Sequence, residues 1–82
     1  MNASEDNAFR ISIGDDPEHE DLTAEIYFRG EYFALISQEQ GLQNAVIEIQ
    51  PNPKGGAWLF SLSDFTITID LAKKRLWELR RS

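Results

Sequence analysis

His19 stands inside the run Asp15-Asp16-Pro17-Glu18-His19-Glu20-Asp21, where five carboxylates crowd around the chain's single histidine. Three chemistries use such residues. A Ser-His-Asp or Cys-His relay would have to run through His19, because the nucleophile needs an adjacent base. The chain has no cysteine, and no serine lies near His19 in sequence. Asp15, Asp16, Glu18, Glu20 and Asp21 could instead gather a hard cation such as calcium, which takes oxygen ligands. Their spacing departs from the D-x-[DN]-x-[DN]-G calcium loop, and Pro17 stiffens the middle of the run. A carboxylate pair for glycoside hydrolysis is compatible with the spacing, but acids in the loops of an 82-residue chain are poor walls for a pocket. The plainer expectation is a solvated acidic loop with no catalytic residue, metal or cofactor. A metal- or carboxylate-dependent enzyme ranks last.

The element that must position this run is the hairpin after it. Leu22 to Gln38 consists of two stretches rich in aromatic and β-branched residues, joined through Arg29-Gly30-Glu31. Leu22, Ala24, Ile26 and Phe28 alternate with Thr23, Glu25, Tyr27 and Arg29. A two-residue loop, at Arg29-Gly30 or Gly30-Glu31, places Phe33, Leu35 and Ser37 on the face of Ala24 and Ile26; a three-residue loop would turn Glu31 inward. Tyr27 and Tyr32 then occupy the opposite face, with Ala34 and Ile36 beside them.

Other strands follow from alternation and turn residues. Phe9-Arg10-Ile11-Ser12-Ile13 reads as a first strand ended by Gly14-Asp15-Asp16-Pro17. Ala45 to Ile49 reads as a fourth, and Ala57 to Ser61 as a short fifth after the loop Pro51-Asn52-Pro53-Lys54-Gly55-Gly56. Gly55-Gly56 belongs to no phosphate-binding pattern and reads as a turn. Residues 1–8 read as a frayed arm. Phe65, Ile69, Ala72, Leu76 and Leu79 recur at spacings of four and three, a stripe within about ±40° of one line on a helix. The spacing favours one helix from about Asp64 to Arg80, capped by Ser63 or Asp64. Phe65-Thr66-Ile67-Thr68-Ile69 also alternates, so the competing reading is a sixth strand followed by a shorter helix capped by Asp70. The expected fold is α+β: an antiparallel meander of four to five strands with one C-terminal helix across one face. Ile26, Phe33, Leu35, Ile47, Leu76 and Leu79 are the expected core.

Length fits one domain with a small core. No apolar run approaches the roughly 18 residues of a membrane helix, and the polar, acidic start does not resemble a signal peptide. With no cysteine, the expectation is a cytoplasmic protein that does not bind membrane. The net charge of −6 is unevenly placed: residues 1–28 hold eight acids and one base, whereas residues 73–82 hold five bases and one acid. The acidic front argues against nucleic acid as a partner, because phosphates would be repelled. Lys73, Lys74, Arg75, Arg80 and Arg81 suit the negative end of a helix dipole without any ligand. Tyr27, Tyr32, Phe33, Trp58 and Phe60 could form a base-stacking sheet, but the motif of such RNA-binding sheets is absent.

Two features are left over as contact surfaces. One is the tyrosine face at Tyr27 and Tyr32. The other is Ile67 and Leu71, four residues apart on the side of the helix that should be wet. Ala24 to Gly41, then Ala45 to Ile49, then the helix from Asp64 to Leu79 resembles small bacterial immunity proteins of polymorphic-toxin and contact-dependent-inhibition systems. The resemblance is an overall pattern over about residues 22–80, and it carries no inhibitory residue across by position. It implies a stoichiometric inhibitor that binds a basic toxin domain in the producing cell. The alternative expectation is a small adaptor that self-associates, for instance as a homodimer, through Tyr27, Tyr32, Ile67 or Leu71.

Overall fold

The computed structural model describes residues 8–80. Four strands follow the chain order in one antiparallel sheet: β1 (Phe9–Gly14), β2 (Thr23–Phe28), β3 (Glu31–Ser37) and β4 (Val46–Ile49). One helix, α1 (Leu62–Glu78), packs on the sheet chiefly over β1 and β2. A 3-10 turn, Leu42–Asn44, joins β3 to β4. The frayed arm expected for residues 1–8 lies outside the described residues except for Ala8, whose carbonyl accepts a hydrogen bond from Arg29 N at 3.0 Å.

The hairpin closes at Arg29-Gly30, with Phe28 opposite Glu31. Arg29 has φ 51° and Gly30 φ 82°. Positive φ at both central residues is the type I′ requirement, whose twist matches that of the strands. The register then shifts between Ile26 and Tyr27, leaving Phe33 as an extra residue in β3. This bulge corrects the facing expected from strict alternation. Phe33 stays on the core side with Ala24 and Ile26, but Ala34 and Ile36 follow it there, pairing with Ile26 and Ala24. Leu35 and Ser37 move to the opposite face, where Leu35 lies between Glu25 and Glu48. A bulge places two consecutive residues against one and shifts the phase of everything beyond it.

Phe33 is the centre of an aromatic cluster. It meets Phe9, Trp58, Phe60 and Phe65 at centroid distances of 5.0–6.1 Å, mostly edge to face. Ala72 and Leu76 complete the core from α1, both fully buried. The expected fifth strand is absent: Ala57 to Ser61 belongs to no ladder. Trp58 and Phe60 are half-buried in the aromatic cluster, and Trp58 Nε1 donates to Gln50 O at 2.8 Å. The segment alternates because its side chains pack, without its backbone pairing.

The ambiguous residues 65–69 are helical. Thr66 Oγ1 donates to Leu62 O at 2.9 Å, and Thr68 Oγ1 to Asp64 O at 2.7 Å. The threonine hydroxyls that make this stretch look strand-like are satisfied within the helix, and Thr68 is buried there. The cap is Ser61 rather than Ser63 or Asp64: Ser61 Oγ accepts from Asp64 N at 3.2 Å. Two expected core residues are corrected. Leu79 ends the helix with φ −99° and is 56% exposed. Ile47 faces the α1 side but is 38% exposed, because α1 lies toward the other edge of the sheet.

Candidate functional site

The sheet face away from α1 is built by register. It carries Glu25 and Tyr27 from β2, Tyr32 and Leu35 from β3, and Glu48 from β4. Tyr27 and Tyr32 are cross-strand neighbours with ring centroids 5.6 Å apart. Tyr27 Oη donates to Glu25 Oε1 at 3.0 Å. That hydrogen bond holds the Tyr27 phenol above its usual pKa, helped by partial desolvation and by the Glu25 charge. Tyr32 is also raised, first by desolvation and then by Glu25, Glu48, Tyr27 and Asp16. These causes describe two neutral phenols inside a ring of carboxylates. Leu35, only 7% exposed, is the apolar floor between Glu25 and Glu48.

The acidic loop between β1 and β2 joins this face. Asp15, Asp16 and Pro17 line a cleft of about 230 Å³ with Ser12, Thr23 and Glu25. Asp16 shapes the loop: its Oδ1 accepts from Glu18 N at 3.0 Å, and its carbonyl accepts from His19 N at 2.9 Å. His19 Nδ1 meets Glu39 Oε1 at 2.5 Å, and its Nε2 lies 3.9 Å from Asp16 Oδ2. Nearby, Gln38 Nε2 donates to Leu22 O at 2.9 Å. The loop is thus fastened to the segment after β3 at two points. The Glu39 hydrogen bond holds the His19 pKa above its ordinary value against partial desolvation, with Glu39, Asp16 and Glu18 adding charge. Glu18, Glu20 and Asp21 lie exposed at the outer part of the loop.

Asp15 and Asp16 therefore come together with Tyr27 and Tyr32, through Glu25. Ile67 and Leu71 do not. They sit 50% and 39% exposed on α1 and line a separate cleft of about 330 Å³ with Phe9, Ile11 and Arg75. Sequence alone does not name Glu25 or Glu48 as site residues, and it assigns Leu35 to the core instead of this face. Glu25 was findable, two residues before Tyr27 on the same strand face; Leu35 and Glu48 needed the bulge and the β3–β4 register. Among the described residues no three His, Cys, Asp or Glu side chains gather as a metal site. None of the described helices is long and apolar enough to cross a membrane. What the surface offers is carboxylates around aromatic rings, a chemistry suited to cationic side chains.

No family model, curated protein or solved structure matches this chain.

Proposed function

We propose that this protein is a non-enzymatic binding module whose acidic, tyrosine-bearing face engages a basic protein partner. The observation that carries this reading is the continuity of Asp16, Glu25 and Glu48 around the Tyr27–Tyr32 pair. Charge would speed encounter, and the two rings would supply desolvated anchors for residence. Lysine or arginine stems of the partner could lie along the rings, with their charged ends among the carboxylates. The resemblance to bacterial immunity proteins makes a toxin domain the natural partner, bound stoichiometrically in the cytoplasm of the producing cell. A second reading rests on Ile67 and Leu71, two exposed apolar side chains one turn apart on α1, which suit self-association of the chain.

The test is binding to the product of the adjacent gene, measured with Tyr27→Ala and Tyr32→Ala and with Asp15, Asp16, Glu18, Glu20 and Asp21 changed to Asn or Gln. Faster dissociation in the tyrosine variants and slower association in the loop variant are expected. Wild-type rates in both would overturn the assignment of this face. A concentration-dependent dimer dispersed by Ile67→Ser and Leu71→Ser would favour the second reading.

A further inference from the structure

The outer edge of β4 borders both the acidic face and an apolar cleft. β4 is the last strand of the sheet, and its four residues, Val46-Ile47-Glu48-Ile49, are all exposed. Gln50 N donates to Phe33 O at 2.7 Å, and Ala34 pairs with Ile49. In an antiparallel ladder, the residues that bond the neighbour alternate with residues that face away. Glu48 and Val46 therefore bond β3, whereas the N–H and C=O groups of Ile47 and Ile49 point outward. The four residues hold no proline, lysine or bulge, and Glu48 is the one charge among them. On its α1 side lies a cleft of about 290 Å³ walled by Ile36, Leu42, Ile47, Phe65 and Ile69, with Lys73 at the rim. On its other side stands Glu48, within electrostatic reach of Tyr32.

We propose that β4 accepts an extended segment of the partner as a fifth strand, its residues alternating between apolar ones in the cleft and basic ones facing Glu48. This deepens the proposed function and rests on its acidic face. Strand addition takes affinity from main-chain hydrogen bonds and specificity from alternate side chains. The edge itself disfavours a second copy of the chain. Self-pairing that uses all four outward groups sets Ile47 opposite Ile49 and therefore Glu48 opposite Glu48, a like-charge pair. Sliding one way needs the Ala45 N–H, which is already given to Leu42 O at 3.2 Å. Sliding the other way needs an N–H from Pro51, which has none. A foreign strand with a cation opposite Glu48 meets none of these obstacles.

The probe is a blocked peptide of about eight residues alternating valine and lysine, titrated into the full chain and followed by amide NMR. Shifts at Ile47 and Ile49 and slowed amide exchange there are expected. A peptide of the same composition with its valines and lysines in separate blocks should bind at least about tenfold more weakly. N-methylation of the alternate amides that face β4 should abolish binding, while methylation of the other set should spare it. Ile47→Pro removes an outward N–H without touching the β3 ladder, at a position where edge strands tolerate proline, and also trims the Ile47 wall of the cleft. It should weaken binding by a similar factor, and the methylated peptides separate the backbone effect from the side-chain one. If Ile47→Pro fails to fold, the methylated peptides on the wild-type chain decide. Equal binding of all peptides, or shifts confined to Tyr27 and Tyr32, would overturn strand addition while leaving the acidic face as the contact. Binding kept when Glu48 becomes Gln and the five loop acids become Asn or Gln, with Ile47 still shifted, would keep strand addition and overturn the acidic-face reading. A dimer that Ile47→Pro abolishes would overturn the foreign occupant.

Discussion

At the scale of single residues, three side chains decide most. Phe33 is both the bulged residue and the centre of the aromatic cluster, so one position sets strand phase and core shape. Leu76 is fully buried under the sheet, and Leu76→Ala should cost about 2–5 kcal/mol in denaturant unfolding. Leu79→Ala, at the exposed helix end, should stay within about 0.5 kcal/mol by the same measurement. His19 is held above its ordinary pKa by Glu39, so the loop's fastening is complete below the unfolded-state value near 6.5. It is lost as pH rises through the raised folded value. An NMR titration should therefore show a lower His19 pKa in Glu39→Gln than in the wild type. Unchanged values would mean that the Glu39 contact does not form in solution.

At the scale of elements, local chemistry explains what alternation left open. Residues 65–69 alternate like a strand while fitting the favoured helix stripe, and the threonine hydroxyls bonded to carbonyls four residues back satisfy their polar groups within the helix. Ser61→Ala should cost about 1 kcal/mol of stability, as loss of a cap usually does. The hairpin turn carries an arginine at positive φ, where Asn is better tolerated. Arg29→Asn should stabilise the chain by up to about 1 kcal/mol, read as a raised midpoint with an unchanged slope. Loss of stability there would mean that the Arg29 cation over the Phe28 ring, at 5.4 Å, outweighs the turn strain.

At the scale of the whole molecule, the chain carries a net charge of −6, and Asp15, Asp16, Glu25 and Glu48 lie on or beside the sheet face away from α1. If the acidic face meets a basic partner, association should slow steeply between 0.1 M and 1 M salt, where the Debye length falls from about 10 Å to about 3 Å. Dissociation should change little, because it depends on desolvated contacts. Stopped-flow association with the partner checks this. A rate flat across that range would mean that the carboxylates serve solubility and not encounter.

Much of this was legible in the sequence because it depends on neighbours along the chain. The first four strands, the two-residue turn, the single helix with Ala72 and Leu76 inward, and the acidic run are local patterns of period, propensity and charge. The tertiary structure decided whatever depends on distant partners. The bulge at Phe33 shifts the phase of the rest of β3, so Leu35 changed faces and Ile36 entered the core. Trp58 and Phe60 alternate like a strand, yet their segment joins no ladder and is held by its rings and by the Trp58 hydrogen bond to Gln50 O. Ile47 has the right face and the wrong place, since α1 lies toward the far edge of the sheet. Asp16, Glu25, Glu48 and the tyrosines are dispersed in sequence and meet only across the ladder. A site made by register cannot be read before the register is known, because a shift of one residue exchanges the two faces.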